Sequence, residues 1–148
     1  EKEKRVERRQ LAKERIPIIA KSLSECKQEI STVENITIEL SESNKANFCY
    51  STSNDYDDVF HIGLGEVLCK ADPKLVYCGL FEQGEKIRVI VYAGENISKE
   101  KSAGEIVKSI SQILGGAGGG SPKFAQGGGI DKSKKEDAIK NAKSMIIE

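Results

Sequence analysis

Histidine occurs once in this 148-residue chain and tryptophan is absent, while the 23 Lys and Arg side chains balance the 23 Asp and Glu side chains. A net charge of zero gives no electrostatic case for a polyanionic partner. The four cysteines, Cys26, Cys49, Cys69 and Cys78, include no Cys-x-x-Cys pair, so with His61 they do not form the close set of four ligands that a structural zinc site needs. Cys49, Cys69 and Cys78 stand among apolar residues and read as small hydrophobes. No apolar run approaches the roughly 20 residues of a membrane span, and the strongly charged N-terminus is not a secretory signal. A reduced, cytoplasmic setting without a membrane partner is the expectation.

Catalytic constellations are also missing. His61 lies among apolar positions and reads as a side chain at the core edge. Ser51, Ser53 and Ser121 lack a nucleophile setting; Ser121 has neither a Gly-x-Ser-x-Gly elbow nor a neighbouring His. Asp55, Asp57 and Asp58 lack the glycine and terminal Glu of a calcium loop, and they suit a helix N-terminus instead. The sequence therefore predicts a chain without catalytic or metal-binding residues of its own.

What is present is organised. Residues 34–66 carry seven acidic side chains and one Lys, whereas residues 108–143 carry seven Lys and three acids, so the neutral total hides an acidic middle and a basic C-terminal third. Residues 1–32 read as a helical segment, the tail of a longer helical or dimerisation region. The first fifteen are mostly Glu, Lys and Arg, Pro17 interrupts, and Ile16, Ile19, Leu23, Cys26 and Ile30 then recur at steps of three and four. Such a stripe suits a partner helix in a homodimer or, equally, the chain's own sheet.

Residues 33–148 read as one globular α+β domain. Alternation predicts strands at 36–40 and 46–50, and Asn54 with its following acids opens a helix that Ala71-Asp72-Pro73 ends. Leu75–Phe81 is an apolar run suited to a strand covered on both faces; with Lys86–Ala93 and a turn at Gln83-Gly84-Glu85 it predicts a central hairpin. Ser102-Ala103-Gly104-Glu105 and Ser133-Lys134-Lys135-Glu136 fit capping boxes that open two more helices. The expected fold is a single mixed or antiparallel sheet of about four strands with helices packed on it, preceded by the N-terminal helical segment.

Eight of the fourteen glycines fall between residues 115 and 129. Ordered glycine is entropically costly, so the segment is either a loose linker or a loop whose backbone needs left-handed angles or close approach to something. The two clusters flank Phe124 and Gln126, and a capped amphipathic helix stands on either side, which favours the second reading. Backbone amides without Cβ atoms can meet phosphate or ribose. The segment lacks a Gly-Lys-Ser/Thr ending and follows a helix, so it is neither a nucleotide-hydrolase phosphate loop nor a dinucleotide fingerprint. Phe124, Tyr50 and Tyr56 suit either base stacking or the core.

The stretch Gly118-Gly119-Gly120-Ser121-Pro122-Lys123-Phe124-Ala125-Gln126-Gly127-Gly128-Gly129 resembles the signature of the glycine-rich, DHHA-type C-terminal domain of alanyl-tRNA synthetases. The resemblance extends from about residue 33 to 148, and Ala117 departs from an uninterrupted glycine run. It implies a module that binds tRNA(Ala) at its elbow, supports aminoacylation and editing by the parent ligase, and pairs subunits. The parent would use ATP, magnesium and, for editing, zinc; this segment would hold none of them. Taken with the Lys-rich C-terminal third, the residues expected to contact RNA are Gly118, Gly119, Gly120, Phe124, Gln126, Gly127, Gly128 and Gly129 of the signature, with Lys123, Lys132, Lys134 and Lys135 meeting phosphates. Related domains occur in phosphoesterases with Asp-His-His motifs, where a His typically follows the glycine run; Ser121 takes that place here. Alternative parents are such a phosphoesterase or a free-standing editing protein, and the alternative role is purely structural oligomerisation.

Overall fold

The computed structural model describes residues 30–33, 36–42, 46–53 and 58–147. The apolar-stripe residues Ile16, Ile19, Leu23 and Cys26, the helix-start residues Asn54, Asp55 and Asp57, and Tyr56 lie outside that range.

Among the described residues, seven strands form one sheet. They are β1 (Ile30–Val33), β2 (Ile36–Glu42), β3 (Asn47–Ser53), β4 (Leu75–Gln83), β5 (Lys86–Ala93), β6 (Ala117–Gly120) and β7 (Phe124–Gly129). The helices are α1 (Asp58–Ala71), α2 (Ala103–Ile113) and α3 (Lys135–Ile147), the last preceded by a 3-10 turn at Lys132–Lys134. The spatial order is β1-β2-β3-β4-β5-β7-β6. Only β3 and β4 run parallel, joined through α1; the other pairs are antiparallel.

Three sequence expectations are corrected. The strand count rises from about four to seven, because the glycine segment is a hairpin, β6–β7, and a further strand forms at 30–33. Ile30 does not continue a helix; it pairs opposite Glu39 in β1. Neither capping box forms as expected. Ser102 occupies the N-cap of α2 without a side-chain hydrogen bond. The amides of Ala103 and Gly104 donate instead to the carbonyls of Pro122 and Ser121, so the turn of the glycine hairpin satisfies the helix start. At the other box, the Asp131 carboxylate accepts from the Ser133 amide at 3.1 Å, displacing Ser133 from the cap role.

The expected central hairpin and the end of the helix before it agree closely. β4 is buried from Leu75 to Phe81, and α1 stops at Ala71 before Pro73. β4 and β5 meet in a hairpin whose Gly84 has φ of 63°, an angle that favours glycine. One face of β4 and β5 carries Val76, Cys78, Leu80, Val89 and Val91 into the main core with Ile106, Val107 and Ile110 of α2 and Ala138, Ala142 and Ile146 of α3. Each fully buried large side chain there contributes roughly 1.5–3 kcal/mol. Asn141 of α3 donates to Ser109 of α2 at 2.6 Å, tying the two helices together. The opposite face of β4 and β5 is covered by α1.

Under α1 lies a polar island. Ser51, His61 and Tyr77 are fully buried, with His61 Nδ1 3.2 Å from Ser51 Oγ and 2.7 Å from the Tyr77 hydroxyl. The His61 ring stacks on Phe81 at 5.2 Å, and a Cβ on Gly79 would stand 2.5 Å from Nδ1. His61 is therefore inside the core and not at its edge. Burial lowers its pKa to about 3 and raises those of the Cys69 and Cys78 thiols to about 12, so imidazole and thiols alike stay neutral.

Candidate functional site

The glycine segment begins as a helix ending. Leu114 caps α2, Gly115 turns left-handed at φ 78°, its amide donates to Gln112 and the amide of Gly116 donates to Ser111. These are the paired bonds of a Schellman motif, in which glycine at the left-handed position avoids the Cβ penalty. The chain then enters β6, turns at Ser121–Lys123 and returns as β7 beside β5. Ser121 closes that turn: its amide donates to the Phe124 carbonyl at 2.9 Å, and the Phe124 amide donates to Ser121 Oγ at 3.1 Å.

Most of the glycines answer to the protein's own packing. A Cβ on Gly118 would lie 2.5 Å from Cγ1 of Val107, and one on Gly127 would lie 2.8 Å from the same atom. A Cβ on Gly129 would run into the Leu114 carbonyl, and one on Gly128 into that of Ile87. Helix α2 thus lies directly on a floor without side chains, and β7 is drawn tightly against β5. Of the eight glycines between 115 and 129, Gly115 alone takes the expected left-handed angle, at the helix ending; Gly118–Gly120 and Gly127–Gly129 do not. Gly119 differs, because the nearest atom to its Cβ position is Lys108 Cε at 3.8 Å, an ordinary contact.

Alternation along β7 sets its two faces. Ala125 and Gly127 face α2; Phe124, Gln126 and Gly128 therefore face the other way, where α1 covers β4 and β5. Gln126 is exposed, and Phe124 is half-buried with its ring 5.6 Å from that of Tyr92 on β5. Tyr50 packs against the core beside Phe48.

The implied contact residues do not all gather in one place. Lys123 sits in the turn at one end of the hairpin, and its carbonyl accepts from Ala93. Lys132, Lys134 and Lys135 follow the other end, roughly 17 Å away at about 3.4 Å per strand residue. Lys132 Nζ donates to the Gly84 carbonyl at 2.8 Å and lies 3.9 Å from Glu82, so its charge is partly engaged within the chain. Lys134 is exposed and Lys135 half-buried.

Residues unremarked in the sequence join them. An open recess of about 380 Å³ lies at the Lys132 end, bounded by Lys86 and Arg88 of β5, Gln126–Gly129 and Ile130. Register places Arg88 directly opposite Gly128. The available signal was the pair Lys86 and Arg88, two charges at alternate positions at the start of a strand that is otherwise apolar apart from Tyr92. Among the described residues no group of three His, Cys, Asp or Glu side chains could hold a metal ion, and no helix is long and apolar enough to cross a membrane.

Residues 47–148 match the family model of the DHHA1 domain. The chain is 52% identical over 103 residues to the alanine–tRNA ligase of Nitrosopumilus maritimus, covering 70% of this chain and 11% of that protein. It is 43% identical over 92 residues to the alanine–tRNA ligase of Cenarchaeum symbiosum, covering 62% and 10%. It thus spans about a tenth of the length of these curated relatives. Its fold is similar to the crystal structure of the C-Ala domain from Aquifex aeolicus alanyl-tRNA synthetase, with a TM-score of 0.69, 24% identity, and coverage of 74% of this chain and 99% of that one. The glycine hairpin, its helix and the closing helix all fall within the matched range, and the chain belongs to the DHHA1 domain family.

Proposed function

We propose that this chain is the C-terminal tRNA-binding module of an alanine–tRNA ligase acting in the cytoplasm. The observation that carries the reading is the 52% identity to such a ligase over a region of DHHA1 type. The geometry supports it. The hairpin turns one face away from α2, presenting Gln126 and Phe124 between Lys123 at one end and Lys134 and Lys135 at the other. An RNA backbone following the hairpin from its turn past its other end meets Lys123 first and Lys134 last, and between them Gln126 and the exposed part of Phe124 offer an amide and a ring edge for bases. The module adds tRNA affinity to the parent, which carries ATP, magnesium and zinc in its own catalytic and editing parts.

Filter binding of transcribed tRNA(Ala) tests the reading. Affinity is expected at low salt and falls steeply as salt rises, because cations on the protein displace counterions from phosphate. Absent affinity, or affinity flat with salt, defeats it. Self-association through Ile16, Ile19, Leu23 and Cys26 is the accompanying proposal, and light scattering over a concentration series decides it. A strict monomer at high concentration rejects pairing and leaves tRNA binding intact.

A further inference from the structure

We infer that the recess beside the glycine hairpin is a phosphate-binding site in which Arg88 is the principal ligand. Its two charged lining side chains, Lys86 and Arg88, are both cationic. Arg88 Nε is buried without a hydrogen-bond partner, although a guanidinium is a rigid fork of donors. Leaving such a donor unsatisfied is costly, and a small turn of the half-buried Arg88 side chain, which lines the recess, would bring it to an anionic acceptor there. Phosphate matches the fork, because two of its oxygens can accept parallel N–H bonds.

The surroundings fit the same ligand. Gly128, directly across from Arg88, carries no side chain to fill the recess, and a Cβ there would strike Ile87. Gln126 stands one alternation further along the same face with its amide exposed. Lys86 is exposed at the mouth, placed to add a second charge. Ile130, 69% exposed at the rim, offers an apolar surface to whatever is attached to the phosphate. The site is separate from Lys134 and Lys135, which do not line it. The inference rests on the tRNA reading for the source of the phosphate, an RNA backbone; a free phosphate has the same chemistry.

Two measurements on the full 148-residue chain separate these sources. In the first, tRNA affinity is measured against salt for the native chain, Arg88→Gln and Arg88→Lys, with thermal melts confirming the fold. Arg88→Gln is expected to weaken binding about tenfold and shallow the logarithmic salt slope by about one. Arg88→Lys is expected to keep the slope and recover only part of the affinity, since an ammonium lacks the fork. In the second, inorganic phosphate is titrated while amide and Arg88 Nε–H resonances are followed. Shifts centred on Gly127–Ile130 and Arg88 are expected, and they should vanish in Arg88→Gln.

A native chain that fails to bind tRNA yet shows those phosphate shifts keeps the site, assigns it to a free phosphate and removes the RNA reading. A native chain that binds tRNA while folded Arg88→Gln binds with equal affinity and slope overturns the site and leaves the RNA reading standing. If Arg88→Gln does not fold, Arg88→Lys with undiminished affinity overturns it equally. Phosphate shifts confined to Lys134 and Lys135, or none at all, also overturn it.

Discussion

Gly119 and Gly128 should respond in opposite ways to the same added methyl group. Their surroundings differ, as the Cβ of Gly119 would meet only Lys108 Cε at 3.8 Å, whereas that of Gly128 would run into the Ile87 carbonyl and lie 3.2 Å from Arg88 Cα. Neither has a positive φ, so backbone strain does not enter. In Gly119→Ala the gain is conformational, since alanine loses less freedom than glycine in a strand, worth about 0.5–1 kcal/mol. In Gly128→Ala the oxygen belongs to the backbone of β5 and cannot rotate away, so β7 must shift. Overpacking costs about 1–3 kcal/mol, and each disturbed β5–β7 hydrogen bond adds about 1 kcal/mol. At about 2–4 °C per kcal/mol for a chain of this size, Gly119→Ala should raise Tm by about 1–4 °C. Gly128→Ala should lower it by at least about 4 °C, and by more if the strand pairing opens. Differential scanning calorimetry of the two variants reads this directly. Equal losses would refute the reasoning, because they would mean that both glycine clusters are held by something other than the contacts around each Cβ. The contrast also decides which glycine can test RNA approach. Gly119→Val keeps the fold and, if the hairpin meets RNA closely, lowers tRNA affinity; loss of binding in Gly128→Val would report only loss of packing.

Burial of His61, with a pKa near 3 against about 6.5 unfolded, means that the unfolded chain binds the extra proton first. Its contribution is fully present above pH 6.5 and is lost as pH falls towards 3. Between pH 6.5 and 5 the loss is about 2 kcal/mol, and urea titrations of the native chain and His61→Gln should show a shallower acid decline in the variant. Lys134→Ala with Lys135→Ala should shallow the salt dependence of tRNA binding by about one to two units without changing Tm appreciably. Lys132→Ala should also lower Tm slightly, because it removes the bond to the Gly84 carbonyl; indistinguishable melting of the two variants would contradict that role. Added to a catalytic fragment of an alanine–tRNA ligase, the chain should raise tRNA charging and leave ATP–pyrophosphate exchange unchanged, since alanine activation needs no tRNA. A comparable rise in both rates would point to a direct effect on the active site.

The sequence by itself determined the elements whose signal is local. Alternation in Ile36–Leu40 marked a strand, and the unbroken apolar run Leu75–Phe81 and the stripe of Ile106, Val107, Ile110 and Leu114 each marked an element and its buried face, because side-chain periodicity follows directly from backbone geometry. The glycine segment was legible as a feature and as a family signature, yet not as a pair of strands. Strand propensity is written in side chains, and glycine has none; only pairing with β5 and the weight of α2 makes β6–β7 a hairpin. The capping box at Ser102 failed for a related reason, since the amides at the start of α2 found the carbonyls of Ser121 and Pro122, distant partners that local pattern does not reveal, whereas the box at Ser133 gave way locally to the Asp131 carboxylate. Tertiary structure alone decided that the glycines chiefly serve helix-on-strand packing. It also decided that His61 lies under Phe81, inside the core, and that Arg88 pairs opposite Gly128 at the side of an open recess. Each of these depends on register between distant strands, which only the collective packing of the core sets.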